Sequence, residues 1–294
     1  MKTSTLAALC AAASLCATGA ETESTTNQLE QAESSIFSGY VSADLASGYL
    51  LYGALLNSEP CFWTDVRADA SFGDWGYLGL QIWSNSDLTD RRKRGMDKSN
   101  YGKMGKFDNE NDFYVHYGNS LALTEDISLS FELAHVWFTY HDHKRNESPK
   151  GYASTRELNC YLSLDNPIVT PYYFISHEYN HVDGTYMAGG LKRDFAVDDR
   201  LTLTPMIELN GMSKNYFGTM FPWRENGKPQ KNGVAALMLS LKANYAITDW
   251  FSIHAQGAFV TVVNDEVRDG INATHDSTYM KDFAWGMVGC TFSF

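Results

Sequence analysis

His177-Glu178-Tyr179-Asn180-His181 has the H-E-x-x-H spacing of a zinc peptidase. On a helix the two histidines would share a face and hold one ion, with the glutamate as general base. The residues before it, Ile168-Val169-Thr170-Pro171-Tyr172-Tyr173-Phe174-Ile175, have the texture of a strand instead. At roughly 3.3 Å per residue, a strand puts His177 and His181 about 13 Å apart, too far for one zinc ion. Neither a metal nor any other cofactor is expected. His141-Asp142-His143, with His135 on the preceding strand, could supply a His-Asp base to a hydrolase, and more simply forms a polar loop.

Charge supplies the other chemistry. The 294 residues carry a net charge of −12, which argues against a nucleic-acid partner. Against that background Arg91-Arg92-Lys93-Arg94, with Lys98, Lys103 and Lys106, makes one basic loop over 91–106. It suits contact with anionic lipopolysaccharide, or folding back onto carboxylates, or plain solvation.

These residues sit in a chain built for strands. Met1 to Ala20 has one lysine, a short apolar run and small residues at its end, the pattern of a secretory signal peptide. Residues 21–35 are polar and acidic and read as a flexible periplasmic leader. From 36 to 294 the texture is uniform, so one domain is expected. Aromatics make up 14% of the chain, yet mean hydropathy is only −0.31 and no later apolar run reaches the ~18 residues of a membrane helix. Of five cysteines, three lie beyond the expected signal peptide, Cys61, Cys160 and Cys290, and that odd count gives no disulfide framework.

Alternation of period two marks about twelve strands, near 36–52, 61–72, 77–86, 111–118, 127–140, 154–164, 168–180, 185–196, 200–213, 233–245, 250–263 and 279–294. Connections alternate in length. Phe72–Gly76, Asp165–Pro167, Val197–Arg200 and Thr248–Trp250 are tight, whereas 87–110, 141–153, 214–232 and 264–278 are long. The connections 53–60 and 181–184 depart from this alternation. Short turns on one side and long loops on the other are natural for a transmembrane barrel. The stretches starting at Ala122, Ala196 and Ala246 echo one another, each an acidic turn followed by apolar-polar alternation. Trp75, Phe195, Tyr245, Trp250 and Phe294 fall near the short-turn end, and Trp63, Trp83, Trp137, Tyr179 and Tyr279 near the long-loop end, as two interfacial belts would require.

The chain ends Y-M-K-D-F-A-W-G-M-V-G-C-T-F-S-F, with Ala284, Gly286, Val288, Cys290, Phe292 and Phe294 on one face and a terminal aromatic. This stretch resembles the closing strand of bacterial outer-membrane β-barrels of the porin-like kind, in which the barrel-assembly machinery reads the terminal aromatic. Ser47-Gly48-Tyr49-Leu50-Leu51-Tyr52-Gly53, Pro60 and Gly76-Tyr77-Leu78-Gly79-Leu80-Gln81-Ile82-Trp83-Ser84-Asn85 also look like the opening strands of an uncharacterised family of proteobacterial secreted β-proteins.

The expected fold is therefore all-β: a transmembrane antiparallel up-and-down barrel of about twelve strands in the bacterial outer membrane. Registering the strands puts Asp44, Asp65, Asp69, Asp112, Glu132, Glu157, Glu178, Asp194 and Glu208 on the lumen face, with Arg67, Lys192 and Lys242 and with His116 and His254. Nine acids against three bases leave the wall net negative by about six charges. The expected function is a narrow porin-like channel for ions or small solutes with a mild cation preference. The expected partners are outer-membrane lipid, lipopolysaccharide, the barrel-assembly machinery and the permeants. The alternatives are a barrel lipase or protease with a site at the extracellular rim, or a structural or adhesive barrel with an occluded lumen.

Overall fold

The computed structural model describes residues 36–88, 110–140, 154–220, 231–274 and 280–294. The signal peptide and leader, the basic 91–106 loop, His141-Asp142-His143 and Tyr279 lie outside the described residues.

Strand β1 (Phe37–Ala46) opens the chain, and a small hairpin follows, β2 (Tyr49–Leu51) and β3 (Ala54–Asn57). The wall continues through β4 (Cys61–Ser71), β5 (Tyr77–Asp87), β6 (Glu110–Ala122), β7 (Ser128–Tyr140), β8 (Ser154–Asp165), β9 (Thr170–Glu178) and β10 (Gly184–Lys192). After the two-residue β11 (Phe195–Ala196) come β12 (Leu201–Met212), helix α1 (Lys214–Met220), β13 (Gly233–Ala246), β14 (Phe251–Val262), helix α2 (Asp265–Thr274) and β15 (Asp282–Ser293). The sheet runs β10-β9-β8-β7-β6-β5-β4-β1-β15-β14-β13-β12, and β12 pairs back onto β10. Among the described residues this is a closed antiparallel barrel of twelve wall strands. Closure leaves no open edge in the wall, the condition for β-structure inside a bilayer. The first and last strands form the seam, with Phe294 and Gly39 exchanging both backbone hydrogen bonds at 2.9 and 3.0 Å.

Local chemistry sets the turns. The three echoing stretches share one geometry. The amides of Leu123, Val197 and Ile247 donate to the carbonyls of Ile127, Leu201 and Phe251 at 2.8, 2.9 and 3.0 Å. One residue later Thr124, Asp198 and Thr248 each accept a backbone N–H from two residues on, at 3.3, 2.7 and 3.4 Å. A short oxygen-bearing side chain at that place closes the turn. Asn166 does the same work before β9, accepting from Ile168 and Val169.

Period two then decides the faces. Leu80, Leu133, Leu158, Ile207, Leu239 and Val288 stand exposed around the outside. An apolar band that encircles the molecule suits lipid and not water. Trp75, Phe195, Tyr245, Trp250 and Phe294 are exposed at the short-turn end.

Three expectations are corrected. The stretch 36–52 is not one strand: β1 ends at Ala46 and the chain turns into the barrel as the β2–β3 hairpin. Trp63 and Trp83 do not join an outer belt but lie inside, each 2% exposed. Their parity explains this, since Trp63 shares its face with Asp65 and Arg67, and Trp83 stands opposite Asp65. The loops 214–232 and 264–278 contain helices, whose buried Tyr216, Phe217, Met220, Val267 and Ile271 pack on the apolar cluster within the barrel.

Candidate functional site

The lumen is organised by a repeated three-strand rung. Asp69 on β4, Gly79 on β5 and His116 on β6 are register partners, and His116 Nε2 meets Asp69 Oδ1 at 2.6 Å across the glycine. Asp44 on β1, Gly289 on β15 and His254 on β14 repeat the arrangement, with Nε2 to Oδ1 at 2.5 Å. Tyr77, Gly118 and Glu132 form a third rung, the phenol donating to Glu132 Oε2 at 2.6 Å. Tyr172, Gly190 and Glu208 form a fourth, at 2.7 Å. Glycine is required at the middle of each rung. A Cβ there would overlap the paired side chains crossing it. The consequence is geometric: at these four rungs the paired side chains lie over the glycine backbone of the strand between them.

Charges on this wall are tied into networks. Arg67 binds Asp69 at 2.8 Å and Glu132 at 2.7 Å. Asp65 accepts from the Tyr40 hydroxyl at 2.8 Å and from Gln81 Nε2. Buried charges survive in a barrel only when met in this way or kept wet. Arg67, Glu132, Lys242 and His254 are respectively 6%, 9%, 4% and 4% exposed, so the bore is narrow at their height. On β13 to β15, Asn244 Oδ1, His254 Nδ1, Gln256 Oε1 and Thr291 Oγ1 find no protein partner among the described residues.

The long-loop half is different. There the β2–β3 hairpin crosses the interior. Tyr52 and Gly53 have φ of 54° and 74°, the two left-handed residues of a tight hairpin turn. Tyr49 packs against Trp63 and Trp83 and donates to Glu110 Oε2 at 2.6 Å. Tyr52 stacks on Tyr186 with ring centroids 3.9 Å apart and donates to Glu157 Oε2 at 2.8 Å. Ser176 on β9 and Tyr216 on α1 also donate to Glu157, each at 2.5 Å.

Of the residues expected on the lumen face, Asp44, Asp65, Asp69, His116, Glu132, Arg67 and His254 come together in the networks above. Asp112 and Glu157 lie buried in the long-loop half and Glu208 under Tyr172. Lys242 is buried on β13. Lys192 and Asp194 stand at the short-turn mouth, the ammonium 5.9 Å from the ring centroids of Tyr161 and Tyr172, and Asp194 bound to Thr204 at 2.5 Å. Glu178 is the register partner of Glu157 at the end of β9. Its carboxylate accepts backbone N–H groups from Asn180, His181, Val182 and Asp183, and so builds the β9–β10 turn. That is the role of the H-E-x-x-H glutamate. His177 instead contacts Thr185, at 3.1 Å, and His135 packs on Trp137 and bonds the Tyr179 hydroxyl on the outer face.

Sequence reasoning missed Glu110, because strand six was started one residue late, although its parity with Asp112 identifies it. It also missed Tyr49 and Tyr52. The signal for them was a residue pair able to turn, Tyr52-Gly53, at the end of the expected 36–52 strand.

No family model matches the chain, and no curated protein matches it, so the resemblance of the first third to a secreted β-protein family gains no support. Solved structures do match. The COG4313 outer membrane channel from Pseudomonas putida F1 aligns over 88% of this chain and 95% of its own, at 10% identity and a TM-score of 0.51. The chain has the fold of an outer-membrane channel barrel. The KdgM porin, at 10% identity over 87% of this chain and 99% of its own, and the NanC porin, at 10% over 86% and 98%, align with TM-scores of 0.45 and 0.46.

Proposed function

We propose that the chain is a narrow outer-membrane channel for ions and small hydrophilic solutes. The observation that carries this is the pairing of an apolar exterior with a polar inner wall whose paired side chains lie over glycine-centred rungs. Glu110 adds a tenth acid to the nine expected on the inner face, against Arg67, Lys192 and Lys242, and this supports a cation preference. Outer-membrane lipid contacts the apolar band and lipopolysaccharide the outer rim. The terminal Phe292 and Phe294 are what the assembly machinery would read.

Liposome swelling tests the reading. Barrel-loaded vesicles should admit small sugars and amino acids, and exclude solutes of oligosaccharide size. Vesicles as tight as lipid alone, both with the wild-type barrel and with one lacking residues 49–57, would contradict it. A second reading, a surface barrel with a permanently occluded lumen, is favoured by the low exposure of Arg67, Glu132, Lys242 and His254. It predicts that removing the inward hairpin creates no permeability.

A further inference from the structure

We propose that the β2–β3 hairpin is the gate of this channel and that Glu157 is its latch. The inference rests on the channel reading above and adds how the channel is regulated.

The hairpin reaches from wall to wall. Its base packs on β4 and β5 through Tyr49, and its tip meets β10 through Tyr52 and Tyr186. In the barrel order β4 and β10 are six strands apart in a ring of twelve, so they face each other across the full bore. A Cβ on Gly53 would stand 3.1 Å from that of Ala236 on β13, on the same far side. Leu50, Leu55 and Leu56 fill the space between, each 8% exposed or less.

The hairpin is nevertheless not part of the wall. β2 and β3 pair only with each other, as a separate two-stranded sheet. Moving them breaks no ladder of the barrel. The pivot is defined: Ser47 N donates to Gly286 O at 2.8 Å and Trp285 Nε1 to Gly48 O at 2.8 Å, so the chain is pinned to β15 up to Gly48 and released beyond it. Beyond ring packing, the polar contacts of the tip converge on one carboxylate. Glu157 gathers Tyr52 from the hairpin, Tyr216 from α1 and Ser176 from the wall, so two caps from different loops close on the same group. Water can take over each hydroxyl-to-carboxylate bond when the tip swings out, so the two bonds bias the equilibrium toward closure without locking it. Tyr52 also leaves a left-handed conformation unusual for a bulky residue when the turn relaxes. The closed state is held by packing, and the latch sets how often it opens.

Planar-bilayer recording of the full barrel tests this, with folding checked by heat-modifiable gel migration. Tyr52→Phe/Tyr216→Phe keeps the rings and removes both hydroxyls. It should raise open probability about ten-fold or more, as expected for two charge-assisted bonds. Replacing residues 49–57 by Gly-Gly should give a continuously open pore. Gly53→Cys/Ala236→Cys, in a background with Cys61, Cys160 and Cys290 replaced by alanine, should silence the pore when oxidised and release it on reduction. If the hairpin-free barrel conducts no more than wild type, or the oxidised cross-link leaves conductance unchanged, the gate is wrong and the channel stands. If neither wild type nor the folded hairpin-free barrel conducts, the channel reading fails and the gate with it. Should the double phenylalanine variant not fold, the cross-link decides.

Discussion

His254 Nε2 lies 2.5 Å from Asp44 Oδ1 over the bare backbone of Gly289, joining two residues 210 positions apart across three strands. The same construction recurs with His116 and Asp69 over Gly79. A pair that far apart in the chain can meet only when the barrel has closed, so the bond reports on closure as well as on the lumen wall.

The rungs make a direct prediction. Gly289→Ala and Gly190→Ala each place a methyl group into a crossing side chain and should destabilise the barrel by about 1–3 kcal/mol. Gly257 on β14 has nothing within 4 Å of the place its Cβ would take, so Gly257→Ala should stay within about 0.5 kcal/mol. Urea unfolding in detergent or vesicles measures all three. Equal losses at all three glycines would show that the rungs need no clearance.

The outer face should be sensitive to depth. Leu239 is exposed in the middle of the wall, opposite Ile207 and Phe259. Leu239→Arg should cost about 2–4 kcal/mol in lipid, whereas Leu123→Arg, in a short turn, should cost no more than about 1. Equal effects would mean that no bilayer surrounds the wall.

Much of this architecture was legible in the sequence. Period-two alternation places residues on a face without any knowledge of the partner strand, so Asp65, Arg67, Glu132 and Glu208 could be assigned inward from their neighbours alone. Turn chemistry was equally local, as Thr124, Asp198 and Thr248 show. What stayed hidden were relations between distant segments. Nothing near Tyr52 announces Glu157, 105 residues on, and apolar Leu50 and Leu51 look the same in a lipid-facing strand and in a plug. Trp63 and Trp83 were misplaced for a related reason. An aromatic near a strand end fits an interfacial belt, and only its parity shows that it points inward.

Glu178 separates motif from mechanism. Its carboxylate serves four successive backbone N–H groups, so Glu178→Ala should loosen the turn and speed amide exchange at Asn180, His181 and Asp183, while Glu178→Gln should do so less because it keeps one acceptor. Hydrogen-exchange mass spectrometry of the turn reads this directly. Unchanged exchange in Glu178→Ala would show that the turn is held by other contacts.

The most direct measurement of the central claim is the reversal potential across a planar bilayer holding the wild-type barrel in a KCl gradient. An inner wall rich in Asp and Glu should pass K⁺ ahead of Cl⁻, and the preference should fade as salt screens the wall. The account predicts resolvable single-channel openings with a cation-selective reversal potential that shrinks at high salt. A folded barrel that never conducts, with or without its hairpin, would contradict it.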